Sequence, residues 1–261
     1  MTNDVLLISI AIFGGFIAGI VNTLAGNGSA ITLSIMTELL GLPANTANGT
    51  NRVGVLMQSM SSNLAFLKNK KLSLKDSGSA ILICVIGAVV GVILALNVSN
   101  EQFKFVFKYM LVLMFFVLLI NPKKWLRDVS EIQKNSSPLS YVLFFLLGLY
   151  GGFLQMGMGV VFLVVTVIIL KYDLISANVL KTAIVGIYTI LAVALFHWKG
   201  LIDWKIGGTI GIGQAIGGYL TAEFASKYPK ANVWAYYILV IMVLLAILST
   251  FGILDFKQFM R

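Results

Sequence analysis

The chain has little charge and almost none of the residues that usually carry chemistry. Of its 261 residues only 11% are charged, against 59% hydrophobic. A soluble domain carries roughly 25% charged residues, so this chain could not cover itself with polar surface. Cys84 is the one cysteine, which excludes an intrachain disulfide and argues against a thiolate metal site. His197 is the one histidine, and no nucleophile–base arrangement or metal-ligand spacing can be assembled around it. We therefore expect no enzyme, no metal and no cofactor. A continuous basic patch is also missing. The net charge of +9 comes from residues in short loops such as "KNKKLSLK" (Lys68 to Lys75) and "NPKKWLRD" (Asn121 to Asp128). That distribution is the positive-inside pattern of a membrane protein and points away from nucleic acid.

What is abundant is apolar sequence in long blocks, which reads as an all-α polytopic membrane protein. "MTND" lacks the positive region of a secretory signal and the apolar run after it is too long for one, so a retained first helix is expected, with no soluble domain at either end. The order of features repeats. "GLPANTANGTNR" (Gly41 to Arg52) corresponds to "YDLISANVLKTA" (Tyr172 to Ala183), with Thr50 set against Thr182, and "GAVVG" (Gly87 to Gly91) corresponds to "GQAIG" (Gly213 to Gly217). Each half holds five apolar elements. They run over Val5–Ala25, Ser29–Leu40, Pro43–Leu67, Ser77–Leu96 and Phe103–Ile120, then Leu139–Met156, Val160–Leu170, Ala177–Trp198, Lys205–Ser226 and Val233–Phe251. The second element of each half reaches only ~18 Å as a helix, too short for ~30 Å of hydrocarbon, and either spans or re-enters. The expected organisation is a first transmembrane repeat over 1–121, a basic cytoplasmic linker over 122–138 and a second repeat over 139–261. Orienting the basic loops inward puts twelve Lys and Arg residues inside and six outside, leaving both termini outside and the two repeats inverted.

No charge occurs from Val5 to Thr37 or from Leu139 to Leu170. As single helices these runs would be about 50 Å long, so each must break. Glycine marks the places, Gly26-Asn27-Gly28-Ser29 and Gly157-Met158-Gly159, with Gly28 and Gly159 expected to hold positive φ in the reversals. Backbone freed inside a membrane must be buried in protein or face water. Asn22, Thr23, Asn27 and Ser29 could satisfy it or bind a ligand, and the helix starting at Ser29 would aim unpaired N–H groups at the break, as an anion site requires. The plainer reading is a tight helical hairpin with capped backbone. Arg52 lies about nine residues inside its helix, a costly depth that suggests function; snorkelling or pairing with Glu38 is the alternative. Glu38 could equally carry a coupling proton. Lys181 reads as snorkelling to the inner face, Glu223 as reaching water at its helix end and His197 as interfacial. The Gly87/Gly91 and Gly213/Gly217 pairs read as close helix packing.

"GGFIAGIVNTLAGNGSAITL", "LLGLPANTANGTNR" and "GAVVG", echoed by "GGFLQMGMGVVFL", "NVLKTA" and "GQAIGGYL", resemble the sulfite exporter TauE/SafE family over nearly the whole chain. The second half departs from the pattern in its short "GMG" and in Val179. The resemblance implies a permease in a bacterial or archaeal inner membrane, moving sulfite, sulfoacetate or a related organosulfonate as its small anionic partner. Carried over by position, it implies binding residues Asn22, Gly26, Asn27, Gly28, Ser29, Thr50, Asn51 and Arg52 in the first half. The second half adds Gln155, Gly157, Met158, Gly159 and Thr182, with Glu38 for coupling. A channel-like or cation or metal permease, or a non-transporting membrane subunit, is the competing reading; homo-oligomer formation is left open. The inverted orientation is checked with single cysteines at Ser99 and Ser136 in a Cys84→Ala background. They should react with an impermeant thiol reagent from opposite sides, and labelling of both from one side would reject it.

Overall fold

The computed structural model describes residues 2–70, 77–96, 138–228 and 231–250, together with Tyr109, Val112 and Phe116. Within these the chain is all-α. Helix α1 spans Thr2–Leu24, and α2 spans Gly28–Ser34 and continues as a π-helical turn over Ile35–Leu39. Helices α3 (Ala44–Lys68) and α4 (Gly78–Ala95) follow. After the linker come α5 (Pro138–Leu154) and α6 (Met158–Leu163), the latter again continued by a π turn over Val164–Ile169. Helices α7 (Leu174–Trp198), α8 (Trp204–Lys227) and α9 (Ala231–Thr250) complete the order. The expected element Phe103–Ile120 and the linker 122–138 lie almost wholly outside the described residues, although Tyr109, Val112 and Phe116 are helical.

Three described segments are long and apolar enough to cross a bilayer: Leu7–Leu24 in α1, Gly78–Ala95 and Leu174–Trp198. Helix α3 matches α7 in length, at 25 residues, but its first half is the polar "ANTANGTNR". Large apolar side chains such as Phe13, Leu64, Leu82, Leu146, Ile190 and Ile216 are exposed around the outside, as expected of a surface facing lipid. Helix α7 is the centre of the structure. Its span is 67% buried, against 39% for the α1 span and 33% for α4. Buried Leu174, Ala177 and Val179 pack with Val21, Leu24, Phe66 and Val160 on one side, and Leu180, Ile184 and Tyr188 pack with Cys84, Phe144 and Phe162 on the other.

The two short helices end alike. Leu40 N–H donates to the Ile35 carbonyl and Leu42 N–H to that of Met36, at 3.0 and 2.8 Å; Leu170 and Tyr172 donate to Val165 and Thr166, both at 3.0 Å. The wide turn in each case runs into a left-handed residue, Gly41 (φ 67°) or Lys171 (φ 61°). Next comes the N-cap of a long helix, Pro43 or Asp173, whose carbonyl accepts from Ala47 or Ala177. Every pair stands 130 residues apart, as 41 does from 171. This register sets Asn51 against Lys181 and Arg52 against Thr182, and corrects the alignment of Thr50 with Thr182.

Two helix pairs are locked backbone to backbone. On α1, Gly15 and Gly19 lie against the carbonyls of Ile210 and Gln214 in α8, while Gly213 and Gly217 of α8 lie against those of Ile12 and Phe16. Gly87 and Gly91 of α4 meet the carbonyls of Phe145 and Leu149, and Gly148 and Gly152 of α5 meet those of Cys84 and Ala88. A methyl group at any of the eight would overlap the facing carbonyl, so small residues here are a condition of the packing, as in close-approach membrane helix pairs.

Candidate functional site

The two helix breaks meet at the middle of the fold. The Cα of Gly159 occupies the place a Cβ on Gly26 would take, and Gly26 blocks Gly159 in the same way. The left-handed glycines are Gly26 (φ 76°) and Gly157 (φ 74°), and Gln155 adopts φ 50°. Gly28 and Gly159, expected to carry the positive φ, instead serve close approach. Gly28 sits against the Ala18 carbonyl and the Asn22 Cβ, and Gly159 against Gly26.

Beside this contact lies a small cavity of about 20 Å³. The end of α1 and the first break contribute Asn22, Gly26 and Ser29; α3 contributes Val55, Gln58 and Ser59. The second break contributes Gln155, Met158 and Gly159, and α7 contributes Lys181, Thr182, Val185 and Tyr188. Seven of the thirteen residues expected to bind substrate thus line one space: Asn22, Gly26, Ser29, Gln155, Met158, Gly159 and Thr182. Asn27 is buried at the break with neither amide atom bonded, and Gly28 and Gly157 shape the reversals without lining the cavity. Thr50, Asn51 and Arg52 stand apart from it. The Thr50 hydroxyl accepts from Asp203 N–H at 2.9 Å, and the Asn51 Oδ1 accepts from the Thr32 hydroxyl at 2.5 Å. The side chain of Glu38 lies outside the described residues.

Lys181 is the residue the sequence reading placed wrongly. It does not snorkel: it is 3% exposed, and its ammonium donates to the Asn22 carbonyl (2.8 Å), the Thr23 carbonyl (3.1 Å) and Asn178 Oδ1 (2.5 Å). The Asn178 amide in turn donates to the Leu24 carbonyl at 3.1 Å. Together they cap the last three carbonyls of α1, of which that of Asn22 also accepts from Gly26 N–H at 3.1 Å. A cation at a helix C-terminus also meets the negative end of the helix dipole. Arg52 does the corresponding thing for α5. It is fully buried, its Nη2 donates to the Gly152 carbonyl at 2.8 Å, and its guanidinium lies 4.9 Å from the Phe196 ring centre. Its Nε and Nη1 have no acceptor among the described residues.

Polar side chains of α3 complete the site, and the sequence reading passed over them. Asn22 Nδ2 donates to Gln58 Oε1 (2.6 Å), and Gln58 Nε2 donates to the Thr23 hydroxyl (2.9 Å). The Thr182 hydroxyl donates to Asn63 Oδ1 at 2.9 Å. Their signal was present in the spacing: Gln58, Ser62 and Ser59 recur at three and four residues and so share a helix face. Buried Gln155 Oε1 and the Tyr188 hydroxyl have no partner among the described residues at the cavity wall. No carboxylate lines the cavity, and no group of three metal-ligating side chains occurs among the described residues. Asp173 and Asp203 cap α7 and α8, while Glu223 pairs with Lys227 and accepts from Asn69 near the end of α8. His197 accepts from the Trp204 indole at 3.3 Å in an exposed contact.

An all-α bundle of apolar helices, with two broken helices meeting at a polar, cation-bearing cavity, defines a polytopic membrane protein. Residues 11–250 match the sulfite exporter TauE/SafE family, and the chain belongs to that family of membrane transporters. It is 28% identical over 229 residues to a "Probable membrane transporter protein" of Haemophilus influenzae, covering 86% of this chain and 87% of that one. It is 26% identical over 230 residues to "Probable membrane transporter protein ORF9" of a Sinorhizobium species, covering 87% and 84%. To "Probable membrane transporter protein YfcA" of Escherichia coli K12 it is 23% identical over 212 residues, covering 81% and 78%. No solved structure matches. The chain is thus a multi-pass bacterial membrane protein of a transporter family rather than an enzyme.

The close contact of the breaks can be separated from backbone strain. Gly26 and Gly41 are both left-handed, but only Gly26 has a neighbour where a Cβ would go. Gly41→Ala should cost about 1 kcal/mol from conformation alone. Gly26→Ala should cost that plus about 1–3 kcal/mol of overlap. Thermal unfolding of the purified protein in detergent checks the difference, and equal losses would mean that the breaks do not need to touch.

Proposed function

We propose that the chain is a secondary transporter of a small sulfur-containing anion, sulfite or an organosulfonate, bound in the cavity between the two breaks. One observation carries this reading: a buried cavity whose only charged lining residue, among the described residues, is a cation, Lys181, set among amide and hydroxyl groups. Hydrogen bonds to a charged partner are stronger than neutral ones, and a low-dielectric wall strengthens them further. Asn22, Ser29, Gln155 and Thr182 supply neutral hydrogen-bonding groups of the kind a sulfonate's three oxygens need. The family's name supports sulfite as the anion. A cation permease would want carboxylates at the same place.

The reading extends to how the molecule works. Residues 1–121 and 139–261 are two inverted repeats joined by the basic segment 122–138, with both termini outside and alternating access about the cavity. The offset of 130 residues from the helix ends at the breaks through the π turns to α3 and α7 supports the duplication. The excess of basic residues in the intervening loops supports the inversion. Arg52 is then a positioning residue, holding the end of α5 and with it the second break. Binding of sulfite and methanesulfonate to the purified protein, set against tetramethylammonium and Ni²⁺, tests the reading. The anions should bind saturably, and Lys181→Met, which uncaps the end of α1, should lower the melting temperature and abolish binding in the protein that still folds. Saturable binding of the cations alone would reject it.

A further inference from the structure

We propose that Lys181 is the proton carrier of the transport cycle, so that each anion enters the cavity together with one proton held on the Lys181 Nζ. This rests on the reading of the cavity as an anion site. From sequence Glu38 is one candidate for the coupling role; among the described residues the cavity lining holds no carboxylate. Among the described residues Lys181 is its one charged residue, and it forms no ion pair with them.

The geometry makes the proton consequential. An ammonium has three N–H groups, and Lys181 has three acceptors, two carbonyls at the end of α1 and the Asn178 amide oxygen. A neutral amine has two N–H groups and a lone pair, so it must release one acceptor and turn its lone pair toward another. The protonated form therefore closes the cap on α1 and charges the cavity, and the neutral form does neither. A buried ammonium without a counter-charge is costly, and an incoming anion supplies that charge. By linkage, anion binding then favours the proton on Nζ, and the proton favours the anion by the same factor. The proton comes from water on the side to which the cavity is open and returns to water when the anion leaves. No covalent bond to the anion changes.

The surroundings leave Lys181 alone in this role. Its own helix adds Tyr188 at the cavity wall, and α3 adds Arg52, a permanent cation within electrostatic reach of Tyr188. Helix α5 adds Tyr150, whose hydroxyl donates to the Met156 carbonyl, and α9 adds buried Tyr236. The described side chains of α1, α2 and α6 add no titratable group, and Glu223 of α8 is engaged with Lys227 and Asn69.

The test uses methanesulfonate, whose charge is fixed, with the purified wild-type protein from about pH 5 to about pH 10. Affinity should fall about tenfold per pH unit on the alkaline side, and binding in weakly buffered solution should take up close to one proton per anion. Lys181→Arg keeps a cation that does not titrate, so it should bind with flat pH dependence, take up no proton and lose proton-driven accumulation in liposomes. Wild-type binding that is flat across the range overturns the coupling and leaves the anion site standing, as does proton uptake that survives in Lys181→Arg. No wild-type binding at any pH overturns both. If Lys181→Arg does not fold, as judged by its melting temperature, wild-type proton uptake alone decides.

Discussion

Inside a bilayer a helix cannot stop without finding partners for the carbonyls it leaves open, and this constraint organises the whole structure. Both broken helices end in the middle of the protein, where water is not available to satisfy them. Lys181 and Asn178 reach from α7 to the end of α1, and Arg52 reaches from α3 to the end of α5. Each cap comes from the opposite half of the chain, so neither break is complete until both halves have assembled. The capping cations are also what give the centre its positive charge. On the proposed reading, the Lys181 cap serves at once as backbone satisfaction and as part of the site's electrostatic field.

Much of the fold was legible because it followed from length and charge. A charge-free run too long for one span had to break, and glycine showed where, which placed α1, α2, α5 and α6 to within a few residues. What was not legible came from contacts between distant segments. Gly26 and Gly159 touch across 133 positions of sequence, and nothing local distinguishes a glycine held for its φ from one held for such an approach.

Lys181 shows how a small error in register changes a reading. The sequence placed the helix start at Ala177, four residues before Lys181, where a long side chain reaches the headgroups easily. The structure starts α7 at Leu174, capped by Asp173, whose carboxylate accepts from Ile175 and Ser176 N–H. Three further residues carry Lys181 about 4.5 Å deeper, close to one more turn. Arg52 was correctly read as deep, but its partner could not be read, because a backbone carbonyl leaves no mark in a sequence. The result is an exchange of roles: the arginine supports a helix end, and the lysine faces the cavity.

The interlocked glycines of α1 with α8, and of α4 with α5, have a consequence for how the chain is made. Each lock joins a helix of the first half to one of the second. Helix α1 leaves the ribosome long before Gly213 and Gly217 exist, so its glycine face must wait in lipid while most of the protein is synthesised. Helix α4 meets its partner much sooner, with only the segment 96–137 between them. The nascent chain therefore closes from its middle outward, with α4 and α5 joining first and the first helix docking near the end.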